Sequence, residues 1–176
     1  MYKITSLLKV KKLIAIEGEP ASGKTTLANF LQKELDCNVV SVDDFYLPIE
    51  KRNELSFLKG GNNIDFERLI HEVILKHLQK EDIVYKGYDC KINEYEETKT
   101  LKYKEVLIIE GSYCLRVELL EYFDYKILME VDSITQLDRL KLRPNFKDFL
   151  DKWIPLSNNF IKENNVTKIV DKIIKS

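Results

Sequence analysis

The sequence predicts an α/β fold in which a parallel sheet carries helices on both faces. Three observations support this prediction. Short apolar runs of four or five residues recur along the chain, amphipathic helical patterns separate them, and an acidic or turn residue closely follows each run. Strands that alternate with helices in this way are joined by right-handed βαβ crossovers, so the strands should lie parallel.

Four apolar runs are predicted to be strands that are buried on both faces of the sheet. They are rich in β-branched residues and leucine and do not alternate with polar residues: 13–16, 39–42, 106–109 and 127–131. Between them, three stretches place apolar side chains at helical spacing: 24–35, 65–80 and 136–142. The segments 47–63 and 85–103 look irregular, and we expect both to be functional loops over one edge of the sheet.

Length and composition indicate one globular domain that spans residues 1–176. The chain of 176 residues is 44% hydrophobic and 32% charged with 6 Gly and 4 Pro, which excludes collagen-like, low-complexity and wholly disordered chains. Its 28 basic and 29 acidic residues give a net charge of -1, so no overall field attracts nucleic acid or anionic lipid. We therefore expect neither as a partner, and we expect any anion site to be local.

Cysteine usage and hydropathy predict a cytoplasmic protein. Cys37, Cys90 and Cys114 form no CxxC pair, so neither a disulfide framework nor a zinc site is indicated. No apolar run approaches the roughly 18 residues that a membrane span requires. The basic, partly apolar start of the chain leads into a glycine-containing loop instead of a cleavage site. No feature indicates an oligomeric state.

The strongest functional signal is the segment 18–25, GEPASGKT, which matches GxxxxGK[ST] between a predicted strand and a predicted helix. Its glycines let backbone N–H groups turn inward around phosphate oxygens, and the following helix adds a positive field. Lys24 supplies a charge for the β- and γ-phosphates, and the Thr25 hydroxyl suits magnesium. The strand–loop–helix context argues against a chance match. The predicted nucleotide-binding residues are Gly18, Glu19, Pro20, Ala21, Ser22, Gly23, Lys24, Thr25 and Thr26.

Other motifs favour a kinase over a switch GTPase or a transport ATPase. The chain lacks the NKxD and DxxG strings of a GTPase and the LSGGQ-like signature of an ABC-type ATPase. It contains SVDDFYLP at the end of the second predicted strand, where ligands bind in open α/β sheets. Phosphoryl transfer to an alcohol needs a carboxylate that accepts the hydroxyl proton, and either Asp43 or Asp44 could supply it. The alternative is a solvated strand-end pair or a helix N-cap.

Two later segments suit magnesium and phosphate. Glu110 ends the predicted strand VLIIEG, where a Walker B carboxylate would hold the magnesium shell, although acidic strand ends are common without this role. Arg139 and Arg143 lie four residues apart on a predicted helix and would project from one face. A lid that closes over transferred phosphate needs such a pair of cations. We expect this lid around residues 139–150. Two surface arginines are the alternative.

Taken together, these segments resemble a uridine kinase-like P-loop kinase, from the group related to phosphoribulokinase and bacterial pantothenate kinase. The resemblance rests on GEPASGKT, SVDDFYLP, GGNNIDFERL, YDC, VLIIEGSYCL, RLKLR and WIPLSNNF and runs in order from about Leu13 to Phe160. It implies a P-loop NTPase fold with a five-stranded parallel sheet, ATP and Mg²⁺ as cofactors, and transfer of the γ-phosphate to a hydroxyl of a nucleoside or a similar small molecule.

The resemblance also implies roles by position. Asp43 would be the catalytic base, and Lys24, Arg139 and Arg143 would act on the transferred phosphate. Thr25 and Glu110 would hold the metal. The residues that would bind the acceptor are Asp43, Tyr46, Arg52, Asp65, Tyr88 and Asp89.

Two positions depart from the uridine-cytidine kinase pattern. Asn93 stands where a histidine reads the pyrimidine, and Asn63 stands near the place of an aspartate that binds the ribose hydroxyls. A neutral amide is a weaker partner for a diol than a carboxylate. The acceptor therefore stays open between uridine, nicotinamide riboside, pantothenate and similar molecules. A nucleotide-binding regulatory protein without catalysis is the alternative from another class, and the intact Asp43 argues against it.

Overall fold

The computed structural model describes Leu8 and residues 12–176, without the side chain of Leu55. The chain contributes these strands: β1 (Leu13–Gly18), β2 (Asn38–Ser41), β3 (Ile83–Asp89), β4 (Glu94–Leu101), β5 (Leu107–Glu110), β6 (Tyr125–Glu130) and β7 (Lys172–Lys175). Five of them form a central sheet in the order β2-β5-β1-β6-β7, and every pair in it is parallel. The predicted parallel five-stranded sheet is confirmed.

The helices lie between the strands, as the apolar spacing predicts. They are α1 (Lys24–Leu35), α2 (66–78), α3 (Ser133–Leu140), α4 (146–163) and α5 (Val166–Ile169). Both α2 and α4 contain an internal π-helical stretch, Leu69–Ile74 and Phe149–Trp153. None of the helices in the described part of the chain is long and apolar enough to cross a bilayer.

Successive residues of β1 point to opposite faces of the sheet, and each face has its own core. Leu13 and Ala15 belong to the cluster that includes Leu69 and Val73 of α2. Ile14 and its neighbours on the other face pack with Ala28 and Leu31 of α1 instead. Because β1 is central and completely buried, its sequence is a continuous apolar run rather than an alternating one.

Two elements differ from the sequence prediction. The segment 85–103 is not an irregular loop, because β3 and β4 pair antiparallel as a hairpin with a turn at 90–93. Inward residues such as Ile83 and Tyr85 alternate with outward ones such as Val84, which is the pattern of a sheet with one solvated face. The other segment, 47–63, contains short 3₁₀ turns at Ile49–Lys51 and Glu54–Phe57.

The predicted helix 136–142 begins and ends earlier than its apolar spacing indicates. The Asp132 carboxylate accepts a hydrogen bond from the backbone N–H of Thr135 at 3.0 Å, so α3 starts at Ser133. The helix then ends at Leu140. The prediction that Arg139 and Arg143 share one helix face is therefore wrong, because Arg143 lies in the turn beyond the helix.

Candidate active site

The carboxyl ends of the central strands open onto a cavity of about 1250 Å³. It brings together residues that lie far apart in the sequence. Among the predicted site residues, those that line it are Pro20, Ala21, Gly23, Lys24, Thr25, Thr26, Asp43, Tyr46, Arg52, Glu110, Arg139 and Arg143. This volume is large enough for a nucleotide together with a small second molecule.

The loop between β1 and α1 has the shape of a phosphate cradle. Lys24 folds back over the loop, and its Nζ donates to the carbonyl oxygens of Gly18 at 2.8 Å and Glu19 at 2.9 Å. A Cβ atom at Gly18 would lie 2.5 Å from the Met129 carbonyl oxygen, so this position requires glycine. The buried Ser22 hydroxyl has no hydrogen-bond partner within the described residues. Ser22 does not line the cavity, so the fit of the cradle to phosphate rests on Lys24 and on the glycine at position 18.

Thr25 and Glu110 form an oxygen pair beside the cradle. The Thr25 hydroxyl donates to Glu110 Oε1 at 3.2 Å. Burial and the nearby Asp43 raise the pKa of Glu110, while Lys24 and hydrogen bonds from Ser41 and Thr25 lower it. A hydroxyl and a carboxylate suit Mg²⁺, which takes few protein ligands and fills its shell with water and phosphate oxygens. No group of three or more His, Cys, Asp or Glu side chains that could hold a metal ion occurs in the described chain.

The structure gives the two neighbouring aspartates different roles. Asp44 accepts a hydrogen bond from the Tyr85 hydroxyl at 2.8 Å and forms an ion pair with Lys99 at 3.0 Å. It therefore fastens the turn after β2 to the β3–β4 hairpin. Asp43 instead lines the cavity, as does the nearby Tyr46. Only Asp43 is placed to act on a ligand.

The electrostatic surroundings of Asp43 raise its pKa. The side chain is exposed to the cavity, yet protein atoms crowd it on the other sides, and loss of hydration is the largest cause of the rise. The neighbouring Asp44 adds to the rise, whereas Lys24, Tyr46 and Arg143 oppose it. The positive charge of Lys24 lowers the pKa of Asp43, although its ammonium donates its hydrogen bonds to the loop carbonyl oxygens.

Both arginines that were predicted to form a lid line the cavity, although they come from different local structures. Arg139 in α3 donates to the Ala21 carbonyl oxygen at 2.9 Å and to the Ser176 hydroxyl at 3.0 Å. Arg143 lies with its guanidinium 5.7 Å from the centre of the Phe149 ring. The segment around 139–150 therefore contributes two cations to the same wall of the cavity.

The six predicted acceptor residues separate into two groups. Asp43, Tyr46 and Arg52 line the cavity, but the other three do not. Those three make local structural contacts: Asp65 caps α2 by accepting from Arg68 N, Tyr88 packs edge-on against Tyr95, and Asp89 accepts from Lys91 N. The family pattern gives the order of these residues along the chain but not the direction of each side chain.

The two departures from the uridine-cytidine kinase pattern also lie away from the cavity lining. Asn63 is buried, with 2% of its surface exposed. Asn93 is at the turn of the hairpin with a φ of 55°, a left-handed conformation that asparagine tolerates. Neither side chain is among the residues that face the cavity.

Sequence reasoning missed the buried carboxylate of Glu17. Its two oxygens accept hydrogen bonds from the backbone N–H groups of Gly18 at 2.9 Å, Tyr113 at 3.0 Å and Leu115 at 3.1 Å. Burial raises the pKa of Glu17, while Lys24 and these three N–H groups lower it. Glu17 thus ties the phosphate loop to the segment after β5. In the sequence, Glu17 directly follows an apolar run, which is also where a glutamate in an exposed turn would stand. The neighbouring residues therefore gave no sign that its carboxylate is buried.

Comparison with known proteins agrees with this geometry. Residues 14–149 match the family model described as an AAA domain. The chain is 31% identical over 149 residues to uridine-cytidine kinase B of Dictyostelium discoideum, which covers 79% of this chain and 60% of that protein. It is 24% identical to the uridine kinase of Haemophilus ducreyi, with 93% of this chain and 91% of that protein covered.

A solved structure shows the same fold. It is described as that of a possible uridine kinase from Bacillus stearothermophilus, and it superposes with a TM-score of 0.76 at 20% identity over 98% of this chain and 96% of that chain. The chain spans less than two thirds of the length of the Dictyostelium relative. These matches confirm the resemblance predicted from the motifs: the chain belongs to the AAA-domain family, and it is similar to proteins named uridine kinase.

Proposed function

We propose that the protein is an ATP-dependent kinase that transfers the γ-phosphate to a hydroxyl of a nucleoside such as uridine, or of a similar small molecule. The observation that carries this proposal is the position of Asp43, which lines the same cavity as Lys24, Thr25 and Glu110. A protein that only binds nucleotide needs no carboxylate there. The relatives named as kinases support the same reaction class.

The phosphate loop would bind ATP with donors that are already in place. A lysine ammonium has three N–H donors, and Lys24 uses two on loop carbonyl oxygens, which leaves one for a phosphate oxygen. Thr25 and Glu110 would hold Mg²⁺ beside it. When bound, the metal neutralises charge on the β- and γ-phosphates.

Other residues of the cavity would activate the acceptor hydroxyl and stabilise the transferred phosphoryl group. The acceptor oxygen attacks the γ-phosphorus, the bond to the oxygen that bridges the β- and γ-phosphates breaks, and ADP leaves. Asp43 accepts the proton of the hydroxyl. Arg139 and Arg143, as a lid, would stabilise the negative charge of the transferred group and exclude water.

The raised pKa of Asp43 predicts a displaced acid limb in the pH profile. The base works only when it is deprotonated, so activity falls as the pH drops through its pKa. Because crowding and Asp44 raise that pKa, the acid limb of kcat/KM for the acceptor should have an apparent pKa above the ordinary aspartate value of about 3.9. The measurement varies the acceptor at saturating ATP, with ATP binding over the same pH range as the control. An acid limb at or below pH 3.9 would contradict the assignment.

The proposal as a whole is tested with a panel of nucleosides and small alcohols and γ-labelled ATP. We expect label to appear in a product that depends on the acceptor and on Mg²⁺, and to be lost in Lys24→Met. If ATP binds but no acceptor in the panel is labelled, the regulatory alternative replaces the kinase.

A further inference from the structure

Arg52 is a cation of the cavity wall without a carboxylate partner. Its Nε donates to the Leu47 carbonyl oxygen at 2.6 Å, and its Nη2 lies 3.1 Å from the Cys90 sulfur. No aspartate or glutamate oxygen of the described chain lies within ion-pair distance of it. The side chain is half-buried and lines the cavity. A guanidinium has five N–H donors, so several remain for a ligand.

Among the described arginines that lie over an aromatic ring, Arg52 and Arg143 line the cavity and form no ion pair, whereas the others are paired. Arg68 and Arg116 also lie over aromatic rings, but each pairs with a glutamate, Glu72 or Glu118. Neither of these two arginines lines the cavity. The Arg52 cation therefore keeps its charge available where a ligand can reach it.

Two tyrosine rings hold the Arg52 guanidinium in place. Its central carbon lies 5.4 Å from the centre of the Tyr46 ring and 5.7 Å from that of Tyr88. A stacked guanidinium loses little further conformational entropy when it binds a planar or tetrahedral anion. The neighbouring Lys91 also lines the cavity, is exposed, and forms no ion pair with any described residue. Two unpaired cations thus occupy one side of the cavity.

Tyr46 connects these cations to the proposed base. It lines the cavity together with Asp43, its hydroxyl lowers the pKa of that carboxylate, and its ring lies under Arg52. Because Asp43 and Arg52 line the same cavity, a molecule whose hydroxyl reaches Asp43 can place a second group beside Arg52. The asparagines at the places of the nucleoside-reading residues, Asn63 and Asn93, do not line the cavity. Arg52 and Lys91 are thus cations that an acceptor bound in this cavity can contact.

We propose that the acceptor is a small hydroxyl compound that also carries an anionic group, a carboxylate or a phosphate monoester, and that Arg52 and Lys91 bind that group. This inference rests on the proposed kinase activity. The anionic group takes no part in the bond changes, since it is bound by Arg52 and Lys91 and not by the base. Its function is to orient the hydroxyl toward Asp43.

The test compares acceptors that differ in the anionic group. Suitable pairs are uridine with orotidine and pantothenyl alcohol with pantothenate for a carboxylate, and ribose with ribose 5-phosphate for a phosphate monoester. We expect the charged member of at least one pair to be phosphorylated with a kcat/KM about tenfold or more above its neutral partner. If the charged member is preferred in a carboxylate pair, the anionic group is a carboxylate. If it is preferred in the phosphate pair, the group is a phosphate monoester.

Variants then assign the preference to Arg52. Arg52→Gln should raise the KM of the charged acceptor by about 10- to 100-fold with a smaller change in kcat, and should leave the neutral partner nearly unaffected. Arg52→Lys, which keeps the charge but not the fork of donors, should recover part of the loss. Lys51→Gln is the matched control, because it removes one exposed positive charge from the adjacent position outside the cavity lining.

Two outcomes overturn the inference. One is a neutral acceptor that is used as well as its charged partner, and the other is an Arg52→Gln variant that weakens both members equally. If no acceptor is phosphorylated, the proposed kinase activity fails, and calorimetry with the same pairs and a non-hydrolysable ATP analogue decides the anion site separately. Binding of a charged member that Arg52→Gln abolishes supports the site, and the absence of such binding rejects it.

Discussion

Asp43→Asn is expected to lower kcat by a factor on the order of 100 or more while ATP binding changes by no more than about threefold. The amide keeps the size of the side chain, but it cannot accept the acceptor proton. The nucleotide cradle does not depend on Asp43, because its lysine is held by the carbonyl oxygens of Gly18 and Glu19. Single-turnover transfer from labelled ATP and a fluorescent ATP analogue measure the two quantities separately.

Asp44→Asn is the matched control, because it makes the same chemical change one residue away. The structure predicts that this variant loses stability, since Asp44 holds Tyr85 and Lys99 of the hairpin. Its kcat should fall less than that of Asp43→Asn. Equal or greater loss of turnover in a folded Asp44→Asn variant would transfer the role of base to Asp44. Joint loss of ATP binding and turnover in Asp43→Asn would make Asp43 structural.

Most of the central sheet could be predicted because its signals are local. Buried parallel strands must be apolar on both faces, and the run Leu13–Ile16 shows this within four residues. The strand β7 gives no such signal, since its sequence, KIIK, is short and charged at both ends. It forms by pairing with β6 at the edge of the sheet, a contact between distant parts of the chain.

The phosphate loop could also be predicted from the sequence, whereas the side chains on the acceptor side of the cavity could not. Fixed glycine and lysine spacing determines the loop, so the positions of Lys24 and Thr25 follow from the motif alone. The choice between Asp43 and Asp44 depends on Tyr85 and Lys99, which lie 41 and 55 residues further along the chain. Both partners belong to the β3–β4 hairpin. Because the outward face of this hairpin is polar, its sequence predicts an irregular segment instead of two strands. Side-chain direction at the acceptor site therefore required the structure.

Glu17→Ala is expected to lower the free energy of unfolding by about 3–5 kcal/mol, a large part of the 5–15 kcal/mol typical of a domain. The substitution leaves three backbone N–H groups, those of Gly18, Tyr113 and Leu115, without their carboxylate acceptor in the interior. Each unsatisfied buried donor costs about 1–3 kcal/mol, and entry of water offsets part of the sum. Urea denaturation followed by circular dichroism measures the change.

Glu130→Ala is the matched comparison. It shows how much stability is lost when a strand-end carboxylate without buried hydrogen bonds is removed. Glu130 also ends a central strand, but it is only half-buried, and its carboxylate accepts no hydrogen bond found among the described residues. Its replacement should cost less than about 1 kcal/mol. Glu17→Gln should fall between the two, because one amide oxygen still accepts while the NH₂ group faces a backbone N–H. If Glu17→Ala were as stable as Glu130→Ala, the three hydrogen bonds would not hold the phosphate loop against the segment after β5, and the rigidity of the cradle would have to come from Lys24 alone.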